Sequence, residues 1–176
     1  MTEDTLRYPI GSFHYSGPYT SAERAERIES IATLPDRLEA VLDTLGPDEW
    51  VKSYRPGGWT VRQVVHHLPD SHLHGYSRFM FGLAEDGATI RPYAEAGWVE
   101  IADSRATPPE LSLALLRALH DRWAALLRSL SDEDFRRTVY HPEHGRFLSL
   151  DELLGNYAWH GDHHLAQVAS VRRGAA

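Results

Sequence analysis

Two histidines four residues apart, His160 and His164, stand in the run Trp159-His160-Gly161-Asp162-His163-His164-Leu165-Ala166-Gln167. In a helix this spacing places both imidazoles on one face, with Cβ atoms about 5–6 Å apart. Two ring nitrogens so placed can reach one metal ion at about 2.0–2.1 Å each. A second cluster, His66, His67, His72 and His74, lies in another segment that reads as helix. Seven of the eleven histidines fall in these two windows, the pattern expected of a metal site built between packed helices. The chain has no cysteine, so thiolate ligands, disulfides and a cysteine nucleophile are excluded. Ligands must be imidazole, carboxylate or solvent.

Composition narrows the setting. The 176 residues fit a single domain, 1–176, with a core large enough to be stable unaided. A net charge of −7 argues against a nucleic-acid surface, which needs clustered Lys and Arg. No apolar run approaches a membrane span, and the acidic start Met1-Thr2-Glu3-Asp4 lacks the apolar stretch of a signal peptide. The expectation is a cytoplasmic protein acting on a small molecule, with neither nucleic acid nor membrane as partner.

Four capping boxes announce the elements that must position the histidines: Thr20…Glu23, Thr60…Gln63, Thr107…Glu110 and Ser149…Glu152. Pro108 adds a favourable first helical residue to the third. The predicted helices cover 21–45, 60–85, 108–130 and 149–172, each with apolar residues at spacings of three and four. Pro35 predicts a kink in the first helix or its division into two pieces. The link 86–106 is long enough to cross a bundle or cover one end, and 131–148 suggests a hairpin-like excursion. The fold class is therefore all-α, a four-helix bundle with a long connection between its second and third helices.

Helical phase places His164 within the apolar stripe of the last helix, His160 at its edge and His163 further out. In the second helix His72 lies in the stripe, His67 on its flank, and His66 and Asp70 face away. Phase alone therefore leans towards His72 as a third ligand.

Several blocks carry a resemblance. Gly57-Gly58-Trp59-Thr60-Val61-Arg62-Gln63-Val64-Val65-His66-His67-Leu68, followed by Asp70, Ser71 and His72, is similar to the second-helix signature of the DinB/YfiT-like metalloenzymes. Tyr8-Pro9-Ile10-Gly11, Ile90-Arg91-Pro92-Tyr93, Leu119-His120-Asp121-Arg122-Trp123, Tyr140-His141-Pro142 and the Trp159–Gln167 run also resemble that family, in its YfiT-type branch. The resemblance implies a bundle in which one histidine of helix 2 and two of helix 4 bind a divalent metal. Carried over, the ligands are His67, His160 and His164, which overrules the leaning towards His72 and leaves it a place in the core or behind the ligands.

Three neutral imidazoles leave a divalent ion with open coordination, able to activate water near neutral pH. The nitrogen-only shell suits zinc, nickel, copper or iron better than magnesium or calcium, with zinc the first choice and nickel the second. The resemblance implies a metal-dependent hydrolase, with a metal-dependent thiol (bacillithiol-type) S-transferase and a non-catalytic metal-binding protein as alternatives. A metal-bound thiol would be deprotonated and ready to attack. No glutamate follows His160, so a general base must come from elsewhere; Asp70, Asp162, Tyr140 and His141 are candidates. Arg55, Arg91, Arg122 and Arg146 are candidate carboxylate binders, and Tyr157 and Gln167 candidates for orienting the ligands. Analogy with the family adds the expectation of a homodimer.

Overall fold

In the computed structural model, which describes residues 3–173, four long helices form a bundle. A short α1 (Glu3–Arg7) precedes α2 (Ser21–Leu42). A 3-10 turn at Pro47–Glu49 leads to α3 (Val61–Ala84). Strand β1 (Ala88–Thr89) and short helices α4 (Glu95–Val99) and α5 (Ala102–Ala106) precede α6 (Pro109–Ser129). Then come α7 (Asp132–Arg136), strands β2 (Thr138–His141) and β3 (Arg146–Ser149), and α8 (Leu150–Arg173).

Two predicted caps form as reciprocal boxes. Thr20 accepts from the Glu23 amide while Glu23 reaches back, and Thr60 with Gln63 does the same. At α8 half of the box forms: Ser149 Oγ accepts from the Glu152 amide, but the Glu152 carboxylate pairs with Arg146 instead. At α6 the box is absent. Thr107 donates its hydroxyl to Asp103 Oδ1 at 2.7 Å, and the helix opens after Pro108 with no side-chain cap. The nearer acceptor, one turn back on α5, takes the hydroxyl. Pro35 does not divide α2, which runs as one element from Ser21 to Leu42.

The side-chain pairings fix the packing directions. α2 and α8 run parallel: Arg24 bonds Asp151, and Ser30 and Arg37 bond Asp162. α3 and α6 are also parallel, since His66 meets Ser112 and His72 meets His120. α2 lies antiparallel to α6, with Asp36 on Arg117 and Glu29 on Arg128. α3 lies antiparallel to α8, with His67 on His160 and Arg78 on Tyr157. Each helix thus has one parallel and one antiparallel neighbour. Because α3 and α6 are consecutive yet parallel, the chain between them must travel back the length of a helix, about 36 Å for 24 residues. That is what the long link does: α4 and α5 lie along α3.

The 131–148 excursion is a hairpin, β2 pairing antiparallel with β3 in the register Val139↔Leu148 and Tyr140↔Phe147. β1 adds to it in parallel, Ala88↔Val139. At two residues, β1 carries no alternating pattern to read in the sequence.

The interior divides into two apolar clusters. One gathers Ile28, Ile31, Phe79, Trp123, Leu153 and Tyr157. The other gathers Leu34, Leu38, Leu68, Leu116, Val168 and Val171. His72 on α3, His120 on α6 and His160 on α8 each lie in sequence between the residues of the two clusters. They form a polar layer across the bundle.

Candidate metal centre

His67 projects from the second turn of α3, directed by the Thr60 box that fixes where the helix begins. Upstream, Gly57 holds φ at 66°, a backbone conformation that side chains disfavour, and the turn it makes delivers Trp59 beside the site. His160 and His164 come from adjacent turns of α8, their ring centroids 4.5 Å apart. The three histidines offer nitrogens that all lie within 4.8 Å of one another. His67 Nε2 and His160 Nε2 are 3.2 Å apart. Two nitrogens bound tetrahedrally to one ion at about 2.0–2.1 Å would be separated by about 3.3 Å. The donor set, three imidazoles with no thiolate or carboxylate, fits a borderline divalent ion such as zinc or nickel.

Burial keeps these rings neutral. It lowers the His67 pKa to about 3. It also drives His160 and His164 well below the ordinary histidine value, with neighbouring imidazoles adding to the effect. Neutral rings keep a lone pair for a metal. His164 Nδ1 lies 2.8 Å from the amide oxygen of Gln167, whose own nitrogen donates to the Arg7 carbonyl at 3.0 Å. Since a carbonyl only accepts, that bond fixes the amide orientation. Its oxygen must then accept from His164 Nδ1–H, leaving His164 Nε2 bare. Gln167, read from the sequence as a candidate for orienting the ligands, touches His164 in that way.

The nitrogens face a cavity of about 540 Å³ walled by Trp59, Tyr93 and Trp159, with Arg7, Tyr8 and Arg55 also lining it. Tyr93 stacks on His67, and its hydroxyl lies 3.4 Å from Nδ1. The long link therefore supplies one wall of the site.

Most other candidates fall elsewhere, although His163 and Arg55 also line the cavity. His72 is fully buried and bonds His160 rather than facing the cavity. His66 bonds Ser112, and His74 stacks on Tyr93. His163 is buried, not turned outward as phase suggested, because Trp159 stacks over it and Gln167 donates to its Nε2. Asp70, Tyr140 and His141 do not line the cavity. Tyr140 packs on Phe147, and His141 on His144, in the hairpin. Asp162 pairs with Arg37. Arg122 lies over Tyr76 and Arg146 pairs with Glu152, so of the four candidate arginines Arg55 alone reaches the cavity. Tyr157 accepts from Arg78 and packs edge-on against His72. Sequence reading assigned no role to His120, a lone histidine whose importance lies in contacts to two other helices.

Comparison with known proteins gives this arrangement a family. The sequence pattern of the DinB superfamily matches residues 30–168. The chain belongs to the DinB superfamily. It is 42% identical to YfiT of Bacillus subtilis (strain 168) over 98% of this chain and 97% of that one. It is 46% identical to OB0782 of Oceanobacillus iheyensis over 94% and 95%. Both bear the name "Putative metal-dependent hydrolase". The solved structure of B. subtilis YfiT, described as having "an unusual four-helix bundle topology", superposes with a TM-score of 0.93 at 41% identity, covering 97% of each chain. A mycothiol-dependent maleylpyruvate isomerase shares the fold at a TM-score of 0.60 and 16% identity, over 80% of this chain and 60% of that one. No helix among the described residues is long and apolar enough to cross a membrane.

Two outcomes are expected. Replacing His67, His160 or His164 by Ala removes most bound metal from the purified, untagged protein, whereas His163→Ala retains it; elemental analysis reads the difference. Asp70 behaves differently: partial burial, and secondarily Asp103, raises its pKa from 3.8 to about 6. The folded state then holds this proton more tightly than the unfolded chain does. Stability from this group is full below about pH 4 and is lost as pH rises through about 6. Asp70→Asn should therefore stabilise the protein at pH 7.5 by about 1 kcal/mol relative to its effect at pH 4, after allowing for solvent screening. Urea unfolding at the two pH values checks this.

Proposed function

We propose that this protein is a metal-dependent hydrolase whose divalent ion, zinc in the first instance and nickel in the second, is held by His67, His160 and His164. The observation that carries the reading is the approach of three neutral imidazoles to one point at the floor of an open cavity. The family membership and the names of the relatives support it. When bound, such an ion supplies Lewis acidity that makes water nucleophilic near pH 7 and polarises a carbonyl or phosphoryl oxygen.

The chain's own residues do the rest. Gln167 holds His164 in the tautomer with a free Nε2. Trp59 and Tyr93 both pack against the His67 ring, with centroids 4.6 Å and 5.9 Å away, and limit its rotation. With Trp159 they give the cavity aromatic walls on which an apolar part of a substrate can rest. Arg7 and Arg55 line the same cavity together with the carboxylate of Glu95, so the two guanidinium groups offer contacts for an anionic group on a small substrate while Glu95 offsets part of their charge.

The test is a paired assay on zinc-loaded, untagged protein. One arm is a panel of esters, amides and phosphoesters; the other offers an electrophile with a low-molecular-weight thiol such as bacillithiol. The proposal predicts hydrolysis that disappears in His160→Ala and upon chelation. Conjugation of the thiol without hydrolysis would replace it with S-transfer at the same centre, and tight metal binding with neither activity would make the ion structural.

A further inference from the structure

Behind His160 a line of hydrogen bonds runs through three helices to the backbone of the fourth. His160 Nδ1 lies 3.0 Å from His72 Nε2, His72 Nδ1 lies 2.8 Å from His120 Nε2, and His120 Nδ1 lies 2.6 Å from the carbonyl oxygen of Ile31. His72 and His120 are both completely buried, and their rings stack with centroids 4.9 Å apart.

The Ile31 carbonyl is available because of Pro35. In an α-helix the amide of residue 35 would donate to the oxygen of residue 31. Proline has no N–H to give, and α2 continues through it. The oxygen left without a helical donor is the one that His120 meets.

This end point sets the direction of every proton in the line. A carbonyl only accepts, so His120 Nδ1 carries the hydrogen. A neutral imidazole has one N–H, so His120 Nε2 is bare and accepts from His72 Nδ1–H. By the same count His72 Nε2 is bare and accepts from His160 Nδ1–H. His160 Nε2 is then the bare nitrogen, and it is the one that lies 3.2 Å from His67 Nε2. We propose that His72 and His120 are positioning residues which, anchored on the Ile31 carbonyl that Pro35 leaves open, lock His160 in the tautomer that presents Nε2 to the site. Metal-binding histidines commonly donate their second nitrogen to a single acceptor. Here the direct acceptor is His72 Nε2 and the carbonyl that sets its direction stands two rings away, so the orientation of one ligand is tied to all four long helices.

What the bare nitrogen binds rests on the metal reading above; the tautomer itself does not. The experiment therefore has two arms. In the first, metal-free protein labelled with ¹⁵N-histidine is examined by long-range ¹H–¹⁵N correlation at pH 7.5. His160, His72 and His120 should each show a protonated Nδ1 and a pyridine-like Nε2. A protonated Nε2 on His160 overturns the proposal, whether or not metal binds.

In the second arm, zinc affinity is measured by chelator competition for wild type, His120→Leu and His120→Gln, with far-UV circular dichroism to verify the fold. Glutamine can donate to Ile31 and accept from His72, keeping the direction of the line, whereas leucine can do neither. The expected result is a loss of about 10–100-fold in His120→Leu, with His120→Gln holding wild-type affinity to within about threefold. Wild-type affinity in His120→Leu, or an equal loss in both variants, overturns the proposal. A wild-type protein that binds no zinc but shows the predicted tautomers would refute the metal reading alone.

Discussion

A buried imidazole must satisfy both of its nitrogens or destabilise the fold, and this bundle carries a layer of them between two apolar clusters. Its solution is to spend them on one another. His72, His120 and His160 share hydrogen bonds, and the line closes on a main-chain oxygen. Among the described residues no nitrogen of these three rings is left without a partner, although neighbouring His66 and His163 each keep one buried nitrogen unpaired. The polar layer is thus continuous with the candidate metal centre. Its outermost nitrogen, His160 Nε2, meets His67 at the cavity.

The topology serves this layer. Each of the four long helices contributes one member: the Ile31 carbonyl from α2, His72 from α3, His120 from α6 and His160 from α8. Parallel packing of α3 on α6 brings His72 level with His120, and it obliges the intervening chain to run back along α3. That return places Tyr93 against His67 and His74. From the other side, the Arg7 carbonyl reaches Gln167 and so bears on His164. The segments outside the bundle act on the site as much as its helices do.

Much of this was legible in the sequence. Four helices, their approximate ends and a hairpin between the last two follow from caps and periodicity, because those signals are local. The pairing of His160 with His164 is equally local. The choice between His67 and His72 was not. Helical phase correctly turned His72 inward, but it carries no information about which nitrogen of His160 each would meet. Both do meet it, on opposite sides of its ring. His120 stood in the Leu119–Trp123 block that resembles the family, but its role was not legible there, because a single histidine in a leucine-rich helix resembles any core polar residue until its partners on α3 and α2 are known. Pro35 read as a defect in α2. Its consequence, a free carbonyl, has meaning only once α6 is packed against it. The failed box at Thr107 shows the same limit, since a competing acceptor on Asp103 arises from the fold of the link.

The central claim is that imidazoles from α3 and α8 share one cation while the cavity side stays open. Anomalous diffraction at the zinc edge from crystals of the zinc-loaded protein tests it most directly. The account predicts one peak per chain, about 2.0–2.1 Å from the Nε2 atoms of His67, His160 and His164, with the remaining coordination facing the cavity. A peak bound elsewhere, or none at these three nitrogens in fully loaded protein, would contradict it.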